Sequence, residues 1–312
     1  MRHAFGPLLL AGALLWTSAC ARQPSPDSTA ATDTALAERV ERLVDTVLTA
    51  DDDKTVAAAF AEAREIFERD GVLSVARVGD APAYSFVFIN LQKADPAFRA
   101  AFVVKVQDAA SRGELPGDAA AFAEARRQQL DVEDRYASRP PANPELRDRI
   151  SALVEADQAA RPQGTPDLEK MAAADRKTAG PLKAIFDRYG VPTFELVGVR
   201  AAKDFVVMVQ HQPAEFRRVV LPKLKNNVDA GQADPASYAT VYDRTQRDQG
   251  KRQLYGQHFE CAGGKDFEVA PMEDPDGVNL RRARLGLMRL EMYGELLRRY
   301  SPNACAAMGP HK

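Results

Sequence analysis

Ile66-Phe-Glu-Arg-Asp-Gly-Val72 and Ile185-Phe-Asp-Arg-Tyr-Gly-Val191 are two versions of one seven-residue phrase, identical at five positions, in one chain of 312 residues. The register continues outward from them. Val78-Gly79 falls on Val197-Gly198 and Phe86-Val87 on Phe205-Val206. After a one-residue slip, Asp95-Pro-Ala-Phe-Arg99 lies near Gln212-Pro-Ala-Glu-Phe-Arg217, and Gly113 near Gly231. Glycines and apolar positions matched over such a span read as two copies of one supersecondary unit. Apolar residues within each copy recur at three- and four-residue spacing, so the unit is helical. The expected fold is therefore mainly α, with two related helical units side by side.

The first unit is expected over residues 36–160. Leu36, Val40, Leu43 and Val44 form one helical stripe, and Val56, Phe60, Ala63 and Phe67 another, ended by Gly71. Tyr84 to Leu91 is apolar all round and reads either as a strand or as a short buried helix. Pro96 and Pro144 each sit where the first helical turn tolerates proline, and a further helix starts near Asp118. Arg161-Pro-Gln-Gly-Thr-Pro166 is dense in turn formers and marks the internal boundary. Thr165 is the expected N-cap there, with Pro166 behind it. The second unit then runs over residues 166–302, with a helix broken or kinked near Gly180-Pro181.

Phe205-Val-Val-Met-Val-Gln-His211 carries the contrast between the copies. Its apolar run is expected as helix and ends in an amide and an imidazole, groups that are costly to bury without partners. The first copy has Leu91-Gln92 at that place, and nothing in it resembles Gln253-Leu-Tyr-Gly-Gln-His258. The first unit thus reads as structural support, the second as the one with a polar set: Gln210, His211, Asp243, Arg244, Gln253, Tyr255, Arg281 and Arg282. Residues 253–259 alternate and are expected as a short β-hairpin arm turning at Gly263-Gly264. Asp276 or Asn279 caps a last helix from Leu280 to Leu297.

Two chemical readings of that set stay open. His211 is a general base oriented by Asp243 in a hydrolase, or else His211, Gln210, Gln253 and Tyr255 satisfy one another as a buried network. No Gly-x-Ser-x-Gly elbow is present, and His211, His258, Asp243 and Glu260 lack metal-site spacing, so neither a metal nor a cofactor is expected. Arg281, Arg282 and Arg284 near the positive end of the last helix point to a small acidic ligand, unless Glu273, Asp274 and Asp276 already neutralise them.

The ends of the chain speak to location. Arg2 and His3 precede an apolar run from Phe5 to Trp16, too short for a permanent span. Thr17-Ser-Ala19 and Cys20 then resemble a lipoprotein signal, with Thr17 where leucine is usual; an ordinary secretory signal is the alternative. The resemblance implies a signal over residues 1–19, lipidation at Cys20 and, with Ala21 next, a lipid-anchored envelope protein at the outer membrane, facing the periplasm. Residues 20–35 are a flexible tether reaching about 20 Å, and 303–312 a tail. Cys261 and Cys305 remain, as a bridge worth roughly 3–4 kcal/mol on the chain-entropy model or as two thiols. A net charge of −2 gives no field for nucleic acid. The membrane, a small acidic ligand and an envelope protein are the expected partners.

Gly190-Val-Pro192, Val197-Gly198, Val209-Gln-His211, Asp243-Arg244, Gln253, Tyr255-Gly256 and Arg281-Arg282 with Gly286-Leu287 together resemble an uncharacterised bacterial family, domain of unknown function 6624, over about Leu168 to Tyr300. The family's usual Tyr-Gly-Thr-Gln is Tyr255-Gly256-Gln257-His258 here. The resemblance implies a mostly helical domain and supplies no reaction, substrate or cofactor. Non-catalytic binding is the leading expectation.

Overall fold

The computed structural model describes residues 33–161, 167–262, 266–300 and Cys305. The signal segment, Cys20, most of the tether, Thr165, Pro166, Gly263-Gly264 and the rest of the tail lie outside them.

The first unit is built from α1 (Thr34–Thr49), α2 (Asp53–Asp70), α3 (Val75–Val78), α4 (Asp80–Leu91), α5 (Pro96–Ser111) and α6 (Ala119–Ala137). The stretch left open between strand and helix is α4. Every residue from Ala83 to Leu91 is buried in it, as expected of a helix that is apolar all round and surrounded by others. The second unit is built from α7 (Pro144–Gln158), α8 (Leu168–Tyr189), α9 (Phe194–Gln210), α10 (Ala214–Asp229) and α11 (Pro235–Asp248). Leu146, Ile150 and Val154 of α7 belong to the core that holds Phe205 and Val209. The helix placed before the Arg161–Pro166 boundary therefore packs with the second unit. α8 is capped by Asp167, whose carboxylate accepts from the Lys170 amide at 3.0 Å, and it continues through Pro181.

The two units share backbone geometry at the positions the sequence matches. Gly71 and Gly190 both sit at φ +71°, each donating its N–H to a phenylalanine carbonyl, Phe67 or Phe186, at 2.8 Å. Gly79, between α3 and α4, has φ +88° and ψ 169°. Gly198, inside α9, has φ +80° and ψ 163°, so α9 is the counterpart of α3 and α4 together. α1 lies on α4 and α2 as α7 lies on α9 and α8.

α6 joins the units. Ala119, Phe122 and Ala123 fill the first core, while Val132 and Tyr136, further along the same helix, pack against the second. The Tyr136 and Phe194 rings stand 6.2 Å apart, and Lys203 reaches Glu133 at 2.7 Å.

The arm after α11 departs from expectation. The hairpin is β1 (Phe259–Ala262) against β2 (Asp266–Val269), antiparallel, with Cys261 opposite Phe267. Residues 253–258 are a compact loop, because three of their backbone N–H groups turn inward to one carboxylate and cannot pair in a ladder. Cys261 is disulfide-bonded to Cys305, tying the C-terminal end to this arm. The expected last helix is two, α12 (Val278–Arg284) and α13 (Leu290–Tyr300). The chain turns between them at Gly286, φ +61°, a conformation glycine adopts without strain. Asn279 still caps a helix, but α13: its Oδ1 accepts from the Leu290 amide at 2.9 Å. Met272, Val278 and Leu290 make a small third core with Phe259 and Val269. No helix among the described residues is long and apolar enough to cross a membrane.

Candidate functional site

The polar set does not converge. It separates into a loop latch, an ion network and one wall of a cavity.

The latch is organised by Asp243 on α11, fully buried. Its Oδ1 accepts from the amides of Leu254 at 2.8 Å and Tyr255 at 3.1 Å, and its Oδ2 from Gln257 at 3.0 Å. Burial raises this carboxyl above its usual range, and the three amide donors oppose that. Gln253, equally buried, closes the loop from the other side. Its amide nitrogen donates to the carbonyls of His258 and Ala270, and its Oε1 accepts from the His258 amide at 2.9 Å. Burial holds the His258 imidazole down at about 4, so at neutral pH it is uncharged; its Nε2 faces the Thr240 carbonyl at 3.2 Å. Tyr255 packs its ring against Tyr238 and Tyr242. Every polar atom of Gln253 is used within the fold, which leaves it nothing to offer a ligand.

His211 caps α9 and lies in a different neighbourhood. Its Nδ1 stands 3.3 Å from Oδ1 of Asp157 on α7 and 3.2 Å from Nε of Arg161. Arg161 also bridges Asp157 and Asp175. The expected His211–Asp243 pair is therefore corrected: the carboxylate beside His211 is Asp157, while that of Asp243 is taken by backbone amides. Asp157, Asp175 and His211 are close enough to share a metal ion; the Arg161 guanidinium bridges both carboxylates and offsets one of their two charges. Burial lowers the His211 pKa, the Arg161 charge adds to this, and Asp157 opposes it. Gln210 contributes its carbonyl to Arg217 at 3.1 Å. Arg244 is exposed.

The arginines of α12 divide. Arg281 is consumed locally, donating to the Leu254 carbonyl at 3.0 Å and to Asp274 at 2.6 Å, so the neutralised reading holds for it. Arg282 is 1% exposed. It donates to the carbonyls of Met288 at 2.6 Å and Tyr255 at 2.7 Å and stands 4.9 Å from the Tyr293 ring centre. Among the described residues no carboxylate pairs with it. Both arginines occupy the last turn of a seven-residue helix, so the argument from a positive helix start does not apply. What replaces it is desolvation: burial brings the Arg282 guanidinium down to about 10, against an ordinary value above 12.

Arg282 lines a cavity of about 920 Å³ between the units, within the size range of small-molecule sites. Arg126 of α6, on the helix that packs against α12, lines it too, half-buried and lowered by burial; its guanidinium donates to Gln92 at 2.9 Å and Gln129 at 3.2 Å. It too has no carboxylate partner among the described residues. Lys93 sits at the rim with φ +52°, uncommon for a residue with a Cβ. The two acids of the lining are occupied, Asp134 by Arg99 and Asp95 by capping α5. The first unit is thus no mere support. Gln92, the residue matched to His211, is part of the cavity, and the repeat alone could have singled it out. Arg126, Asp157 and Arg161 carried no signal, being ordinary charged residues on helices until the packing is known.

No curated protein and no solved structure matches the chain. The model of a family of unknown function, DUF6624, matches residues 144–301, from the start of α7 to the end of α13. With latch, ion network and Arg282 all inside the matched half, the chain belongs to that family.

Proposed function

We propose that this protein is an envelope-anchored lipoprotein whose helical body binds a small anionic ligand without transforming it. The observation that carries the reading is the cavity with Arg282 and Arg126 on its walls and, among the described residues, no carboxylate in direct contact with either. A desolvated cation is costly unless a counter-charge approaches, and an anion entering this cavity supplies one. The Cys261–Cys305 bond supports an oxidising compartment, in keeping with the lipoprotein-type pattern ending at Cys20. The rival hydrolase reading loses its orienting contact, since Asp243 and His211 have separate partners.

The test uses the full-length chain and the fluorescent anion 1-anilinonaphthalene-8-sulfonate. Saturable binding at micromolar probe is expected, weakened about tenfold or more in Arg126→Met, the loss of one charge-assisted contact. Arg126 is chosen because Arg282 also braces two carbonyls. Probe binding that is absent, or the same in a folded Arg126→Met, overturns the binding reading. The same preparation should partition into detergent, and Cys20→Ala should not; equal partition removes the anchor.

A further inference from the structure

We infer that the occupant of the inter-unit cavity is a single-chain amphiphile, its anionic head at Arg126 and Arg282 and its alkyl chain along α1 and α2. This rests on the binding reading above and narrows it to a ligand class.

The two kinds of wall come from different elements. Arg126 and Arg282 stand on α6 and α12, which pack directly on each other. The lining that α1 and α2 supply is apolar, Val47 and Leu48 at the end of α1 and Val56 and Phe60 on α2, and Phe88 and Met288 add to it. The four side chains of α1 and α2 are only partly buried, although Val47, Leu48 and Phe60 border the first core. A strip of half-covered aliphatic and aromatic surface facing into a concavity favours an apolar occupant. A compact polar anion, such as phosphate or a dicarboxylate, would satisfy the arginines and leave this strip wet. A neutral lipid would cover the strip and leave the arginines without a counter-charge in direct contact. Only a ligand with one anionic end and one hydrocarbon end matches both walls.

The charge balance points the same way. Lys93, Arg126 and Arg282 face the cavity without carboxylate partners among the described residues. Asp134 is committed to Arg99, and Asp95, which caps α5, stands 3.8 Å from Arg64. The surplus is local, since the whole chain is slightly acidic at −2. A fatty carboxylate and a lysophospholipid-type phosphate share the required chemistry, and the head group distinguishes them.

The experiment is displacement of 1-anilinonaphthalene-8-sulfonate from the full-length protein by sodium octanoate, sodium dodecanoate, dodecyl phosphate, dodecanol, sodium acetate and inorganic phosphate. All are used below their micellar concentrations. Each added methylene should tighten binding about threefold, so dodecanoate should displace at concentrations on the order of a hundredfold below octanoate. Dodecanol should be at least about tenfold weaker than dodecanoate, and acetate and phosphate should fail. Phe60→Gln, on the apolar wall, should flatten the chain-length dependence while the probe still binds; Arg126→Met should erase the preference for acid over alcohol. Dodecyl phosphate outcompeting dodecanoate identifies a phosphate head, the reverse a carboxylate, and either supports the inference. Saturable, Arg126-dependent probe binding with no effect of chain length, or with acetate as effective as dodecanoate, overturns the amphiphile while leaving anion binding intact. Arg126-independent or absent probe binding overturns both.

Discussion

The turn from α4 to α5 and the turn from α9 to α10 are built alike and used differently. Each ends its first helix on the matched pair of C-caps, Gln92 and His211. In each, a buried arginine of the next helix gathers the turn. Arg99 donates to the Ala94 carbonyl at 2.5 Å and pairs with Asp131 and Asp134 of α6. Arg217 donates to the Gln210 and Gln212 carbonyls and pairs with Asp248 of α11. The difference lies in what stands over the cap. His211 is closed in by Asp157, Arg161 and Asp175, a set bridged internally by the one guanidinium. Gln92 meets Arg126 and opens into the cavity. One scaffold occurs twice, and the neighbours of each copy decide which turn is open.

The strongest test of this parallel is to remove the arginine from each copy. Arg99→Ala and Arg217→Ala should each cost about 2–4 kcal/mol, because truncation removes charge-assisted hydrogen bonds to carbonyls of the turn, while the carboxylate partners reach solvent. Urea unfolding followed by circular dichroism gives both values on one protein. Closely similar losses support a shared device. A loss under about 1 kcal/mol in only one copy would show that the resemblance of the two turns is geometric and not energetic.

A difference between the halves should appear on acidification. Both described histidines, His211 and His258, lie in the second half, and burial lowers both. The unfolded chain then binds more protons than the native one between about 6.5 and 4, so stability rises with pH across that interval. The His258 contribution is complete above about 6.5 and is lost as pH falls toward about 4, amounting to about 2–3 kcal/mol. His258→Gln should remove this part of the slope, leaving the carboxylates' share in place. An unchanged difference in unfolding free energy between pH 7 and pH 4.5 would mean that His258 is not held neutral in the fold.

Most of the helical architecture was legible because it rests on local rules: apolar spacing, proline at first turns and glycine at helix ends. Gly71 ends its helix where the pattern placed it. The site was legible only in part. Arg282 was visible as a cation in need of a partner, yet the argument from a helix start failed once Gly286 split the last helix. Asp243 was seen as chemistry and is a ligand for backbone amides instead. Nothing in sequence spacing distinguishes a carboxylate facing an imidazole from one facing N–H groups, because both demand only a buried acid. Asp157 and Arg126 became meaningful through contacts between elements far apart in the chain. Tertiary packing, not local pattern, assigns such residues.

The smallest effect expected is also the cleanest comparison. Gly79 and Gly198 combine φ near +80° with ψ near 165°, a region that is open to glycine and essentially closed to residues bearing a Cβ. Nothing lies within 4 Å of where a Cβ at Gly198 would be, so crowding adds little there and the cost of Gly198→Ala is backbone strain alone, about 1–3 kcal/mol. Gly79→Ala should cost the same amount, since its φ and ψ are nearly identical. Thermal unfolding of the two single variants measures both. Equal losses would show that the break between α3 and α4 and the kink inside α9 are one conformational device in two places. A near-zero loss for Gly79→Ala would mean the first copy can relax into a continuous helix at this point and that only the second requires the kink.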